Sequence, residues 1–189
     1  MKRVAVFCGA NVGARPLYVD AARAMGRALA ARGLGVVFGG GRVGLMGALA
    51  DAALEAGTTV HGVIPEKLAT AELAHRGVTE LHVVKKTMHE RKAKMADLSD
   101  AFIAMPGGFG TLDELFEAVT WGQLGFHEKP VGLLDAGGFF GPLLAMADAM
   151  VREGFVKKEH RGSIKVQAEP GALLDELVAC DVARQPSPP

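Results

Sequence analysis

The chain has 189 residues, enough for one domain with a sizeable core, and its 49% apolar and 22% charged content is that of an ordinary globule. Lysine plus arginine and aspartate plus glutamate balance at 21 each, which argues against an extended nucleic-acid or membrane surface and makes any anion site a local one. Only Cys8 and Cys180 are present, with no CxxC or zinc spacing, and no apolar run approaches the roughly 20 residues of a membrane span, so a cytoplasmic protein is expected.

Strand and helix patterns alternate along the chain. Val4–Cys8 reads as a strand, too short for a signal peptide and ended by Gly9 and Asn11. A helix follows over Pro16–Arg32, with proline in its first turn and Gly33 just past its end. Val36–Phe38 is a strand, Leu45–Ala56 a helix, and Thr59–Ile64 a strand halted by Pro65. Residues 66–79 read as loop or short helix, Leu81–Val84 as a strand and Thr87–Leu98 as a helix. Ala101–Met105, Thr111–Leu124, Val131–Leu134 and Phe139–Arg152 continue the alternation. Ile164–Val166 makes a last strand and Pro170–Val178 a last helix. Apolar strands alternating with helices predict an α/β, Rossmann-like, doubly wound parallel sheet of six to seven strands with helices on both faces. Residues 1–180 are expected to form this one domain, and 181–189, ending Gln185-Pro186-Ser187-Pro188-Pro189, a disordered tail.

Two glycine loops follow strands. Gly39, Gly41 and Gly44 match the GxGxxG fingerprint, but after the second strand instead of the first, so a tight turn with close helix packing at Gly47 is an equal alternative. The second loop, Pro106-Gly107-Gly108-Phe109-Gly110-Thr111-Leu112-Asp113-Glu114, joins a buried strand to an amphipathic helix. Its glycines let the backbone approach a ligand, and the free N–H groups at the helix start favour a phosphate. Glu114 then stands beside that phosphate. The alternative is a capping box, in which Glu114 bonds back to the N–H of Thr111 and does nothing else.

The preceding basic helix bears on this choice. Met88, Arg91, Met95 and Leu98 share one helical stripe, otherwise apolar, which should face the core. A buried guanidinium needs a carboxylate or phosphate partner, and Glu114 is the candidate. The alternative is that Arg91 snorkels to solvent over Met88.

These residues resemble a known family. Met88-His89-x-Arg91-Lys92-Ala93-x-Met95, then Ser99-Asp100-Ala101-Phe102-Ile103-Ala104-Met105-Pro106-Gly107-Gly108-x-Gly110-Thr111-Leu112-x-Glu114, then Thr120-Trp121-x-Gln123-Leu124-Gly125 are similar to the Lonely Guy family, from Val4 to about Phe155. Its members are cytokinin-activating phosphoribohydrolases, and many bacterial relatives were once labelled lysine decarboxylases. The resemblance implies a Rossmann-like fold, a homodimer, and hydrolysis of the N-glycosidic bond of AMP or an N6-substituted AMP to free base and ribose 5-phosphate. It implies catalytic roles for Arg91 and Glu114. Substrate contacts are implied for Gly40, Gly41, Glu72, Met88, Lys92, Gly107, Gly108, Phe109, Gly110, Thr111 and Thr120. One departure concerns the first-strand loop, where Ala10 and Asn11 replace the serines common in the family.

The chemistry is consistent with these residue types. Cleaving a ribosyl C–N bond passes through an oxocarbenium-like transition state, which a carboxylate can stabilise while activating water. Competing readings are a nucleotide-binding or carrier module without catalysis, an NAD-type oxidoreductase using the first glycine loop and Glu66, and a pyridoxal-dependent decarboxylase using Lys92. No cofactor is expected. No metal is expected either, because the six histidines show neither HxxxH nor HExxH spacing. The partners expected are a purine 5'-monophosphate and a second copy of the chain, packed near Phe116, Trp121 and Phe126, with no nucleic acid and no membrane.

Overall fold

The computed structural model describes residues 1–70, 73–85 and 87–184. Seven parallel strands form one sheet: β1 (Arg3–Phe7), β2 (Gly35–Phe38), β3 (Val60–Pro65), β4 (Glu80–Val84), β5 (Ala101–Ala104), β6 (Val131–Leu134) and β7 (Ile164–Gln167). Their order is β4-β3-β2-β1-β5-β6-β7, so the chain winds outward from β1 in one direction and then crosses over to continue from β5 in the other. That reversal between β1 and β5 is the switch point at which the carboxyl ends of a doubly wound sheet leave a crevice.

Helices cover both faces because the central strands are apolar on both sides. On one face α1 (Leu17–Ala31), α2 (Gly44–Glu55) and α7 (Pro170–Arg184) bury Met25, Leu29, Leu45, Leu49, Leu173 and Leu177 against Val4, Val6, Val36, Phe38 and Ile103. The other face carries α3 (Met88–Asp97), α4 (Phe109–Gln123) and α5 (Gly141–Arg152), which enclose Ala5, Phe7, Val37, Val63, Met95, Phe102, Leu115 and Phe140. Helices α1 and α2 pack so closely that a Cβ at Gly26 would lie 2.5 Å from the Leu49 carbonyl oxygen.

Every expected strand and long helix is present, with its start within two residues of the expected one. The differences are local. A short helix, α6 (Lys158–Gly162), has no apolar period and is absent from the sequence reading. Helix α7 continues to Arg184, past the expected end at Val178, and takes in residues 181–184 of the expected tail, while 185–189 lie outside the described residues. Helix α4 begins at Phe109, two residues before Thr111, with consequences for the site. Among the described residues, no helix is long and apolar enough to cross a membrane.

Candidate active site

A cavity of about 570 Å3 opens at the switch point. Its floor comes from the carboxyl end of β1 and the loop after it, Cys8 to Gly13. The loop after β5, Pro106 to Gly108, and the first turn of α4 form one wall. Gly39 and Gly41, at the end of β2, and Ile64 and Pro65, at the end of β3, form another. The two loops are tied together, since the Gly9 N–H donates to the Pro106 carbonyl at 3.1 Å and the Leu45 N–H to the Gly9 carbonyl at 3.0 Å. Gly44 adopts φ +66°, and a side chain there would collide with the Ala10 backbone.

The capping-box alternative fails on geometry. Gly108, in extended backbone, is the N-cap of α4, and Thr111 is already inside the helix and buried. Glu114 is therefore the sixth helical residue, too deep to cap. The N–H groups of Phe109, Gly110 and Thr111 precede the first intrahelical bond, in which the Leu112 N–H donates to the Gly108 carbonyl at 3.2 Å. Those three donors have no partner within the helix, and they sit at its positive dipole end. Nothing stands within 4 Å of where a Cβ would project at Gly108 or Gly110, so the backbone is open to a ligand.

Arg91 does not snorkel. Helix α3 is capped by Thr87, whose hydroxyl accepts from the Glu90 N–H at 3.1 Å, and this start turns Arg91 and Met95 inward. The Arg91 side chain is 9% exposed; its Nε donates to the Val63 carbonyl at 2.9 Å and its Nη1 to Glu114 Oε1 at 2.5 Å. The pair lies inside the cavity. Burial pushes the Glu114 carboxyl above its ordinary value of 4.5, and the Arg91 charge and hydrogen bond oppose that push without cancelling it. The result is a carboxylate with raised basicity beside an anion-binding helix end. Cys8, also at the cavity, is held as a neutral thiol because burial pushes its pKa far up.

The remaining expected site residues divide. Gly41, Met88, Gly107, Gly108, Gly110 and Thr111 line the cavity with Arg91 and Glu114. Gly40 turns away, its Cβ direction facing Ile64 and Leu81. Phe109 projects into solvent at 92% exposure, and Thr120 is exposed on α4 outside the cavity lining. Lys92 also lies outside that lining, because its Nζ is held by Glu117 at 2.9 Å and Asp113 at 3.1 Å. Burial alone would lower the Lys92 pKa, but those two carboxylates raise it. Glu72 lies outside the described residues. The sequence reading missed Asn11, Val12, Tyr18, Asp113 and Phe139, which also line the cavity. The loop after β1 could have been found by the switch-point rule once β1 was placed beside β5.

Comparison with known proteins identifies the family. The family model described as "Possible lysine decarboxylase" matches residues 46–177, more than half of the chain. A cytokinin riboside 5'-monophosphate phosphoribohydrolase of Rhodococcoides fascians is 52% identical over 166 residues, covering 87% of this chain and 83% of the relative. Another of that name from Arabidopsis thaliana is 48% identical over 176 residues, covering 93% and 82%. The chain belongs to the Lonely Guy family. The cavity brings together the Arg91–Glu114 pair and the glycine loop before α4. The fold is shared more widely. The molybdenum cofactor carrier protein of Chlamydomonas reinhardtii superposes with a TM-score of 0.71 at 22% identity, over 97% of this chain and 99% of its own. At that identity the likeness speaks to fold alone.

Proposed function

We propose that this chain hydrolyses the N-glycosidic bond of an adenosine-type 5'-monophosphate, AMP or an N6-substituted relative, to free base and ribose 5-phosphate. The observation that carries the reading is the largely buried Arg91–Glu114 pair opening into the same cavity as the N–H groups at the start of α4 that have no intrahelical partner. The names of the relatives at 48–52% identity support it.

The 5'-phosphate binds at the N–H groups of Phe109 to Thr111, which gives binding energy remote from the bond being cut. Ribose then lies over Glu114. As the C1'–N bond breaks, the electron pair leaves with the base and positive charge develops on the sugar, where the Glu114 carboxylate stabilises it. Water adds to C1'; Glu114 takes one of its protons, and the base departs with a proton in the net reaction. Arg91 keeps Glu114 ionised and aimed. Val43, Leu68, Leu73 and Met88 give the cavity an apolar wall suited to the purine.

We infer further that the protein is a cytoplasmic homodimer. Phe116, Leu124 and Phe126 are exposed on α4 and the loop after it, and Trp121 is half-buried beside them. The partner would cover these side chains and border the cavity near Phe109. Both cysteines are free thiols, as suits a reducing compartment.

The test is product analysis after incubation with AMP and isopentenyladenosine monophosphate. Release of free base with ribose 5-phosphate is the expected result. Tight binding of either nucleotide without release would make the chain a carrier module instead.

A further inference from the structure

Away from the cavity, at the amino ends of β3 and β4, a second group of titratable side chains remains unexplained. Parallel pairing sets His61 opposite Glu80 and Val63 opposite His82, so side chains 61, 80 and 82 emerge on one face of the sheet. The two imidazoles stack with ring centroids 6.3 Å apart and an interplanar angle of 16°. His61 is 9% exposed, and both His61 Nδ1 and His82 Nε2 are buried without a hydrogen-bond partner. Two orphaned ring nitrogens in one place call for a ligand. Each instead faces a different oxygen of one carboxylate: His61 Nδ1 lies 3.4 Å from Glu80 Oε2, and His82 Nε2 lies 3.5 Å from Glu80 Oε1.

We propose that His61, Glu80 and His82 form a binding site for a divalent first-row transition-metal ion of the zinc class. One donor atom from each residue can be chosen so that all three lie within 4.8 Å of one another. Tetrahedral zinc, with bonds of about 2.0–2.1 Å, holds adjacent ligand atoms about 3.3 Å apart; His61 Nδ1 and Glu80 Oε2 are near that spacing at 3.4 Å, and small side-chain rotations bring the third donor to it. Two imidazoles with a single carboxylate suit zinc or cobalt and disfavour magnesium or calcium, which take oxygen ligands. Glu80 is more than half exposed, so solvent reaches the carboxylate side of the group and water can complete the coordination. The ion would clip β4, the edge strand, to β3.

The test uses tag-free protein, stripped with a chelator and titrated with cobalt by visible absorption and with zinc by calorimetry. One ion per chain is expected, with a rise in melting temperature on adding zinc and none with magnesium. Glu80→Gln and His82→Ala should each weaken binding by at least about tenfold, the lower end of what even an outer-shell partner costs. Both positions are less buried than His61, and His89→Ala, on exposed α3 surface, should leave binding unchanged. Absence of binding by the wild type, or binding that neither Glu80→Gln nor His82→Ala weakens, would overturn the proposal. Base release is not the readout, so the result is independent of the hydrolase reading.

Discussion

Arg91 and Glu114 are 23 residues apart in the chain and meet at 2.5 Å. The contact exists because α3 leads into β5, and β5 delivers α4 beside it, so consecutive helices on one face of the sheet turn their inner residues toward each other. Arg91 is fixed at a second point by the Val63 carbonyl of β3. The pair therefore joins three elements at the mouth of the crevice.

Glu114→Gln should leave the fold intact and remove catalysis. Glutamine can still accept from Arg91, and the lost charge pairing costs about 1–3 kcal/mol, a fraction of a typical domain's stability. Turnover should fall at least about a hundredfold, because neither sugar-charge stabilisation nor proton acceptance survives. Single-turnover base release beside thermal melts checks this; a variant with most of its activity would remove Glu114 from the mechanism.

The pH profile should report the same residue. Glu114 must be ionised to act, and burial raises its pKa above 4.5 despite Arg91. Activity should therefore decline, as pH falls, through an acidic limb centred above 4.5. Arg91→Gln removes the main influence lowering that pKa, so in the residual activity the limb should move to higher pH. A limb at or below the ordinary glutamate value in the wild type would show that another group titrates.

Gly39→Ala tests positioning without touching either charged residue. Its backbone φ is outside the left-handed region, so alanine fits the chain itself. The new Cβ, however, would stand 2.6 Å from Arg91 Nη2 and 2.9 Å from Met46 Sδ. Met46 can swing aside, but the guanidinium is held at two points and must shift away from Glu114. A displacement on the order of 1 Å near a reacting group costs up to about a hundredfold, so turnover should drop at least about tenfold in a folded protein. Wild-type kcat in Gly39→Ala would mean that the Arg91 placement is not needed.

Lys92→Met should act on stability more than on nucleotide binding. Lys92 joins α3 to Asp113 and Glu117 of α4 and does not line the cavity. Loss of these charge-assisted bonds should cost about 1–3 kcal/mol and lower the melting temperature by several degrees. Calorimetric AMP affinity should stay within a few-fold of wild type. A large affinity loss with an unchanged melt would instead make Lys92 a nucleotide ligand.

The alternation of elements, the inward stripe through Arg91 and Met95, and the loop from Pro106 to Glu114 were all legible in the chain, because each rests on local periodicity or on residue types within about ten positions. Strand order was not. Nothing local says that β5 lies beside β1, and only that pairing makes a crevice from the loops after both strands. The choice between cap and catalyst at Glu114 also waited on tertiary structure, since a Thr-x-x-Glu spacing is the same whether the helix starts at Thr111 or at Phe109. Lys92 belongs to the same motif as Arg91 but projects toward α4 carboxylates, because adjacent helical residues point about 100° apart. His61 and His82 show no metal spacing in the sequence; β3–β4 pairing alone brings them together. Sequence determined which chemistry-bearing residues each segment carries, and long-range packing decided which of them share a site.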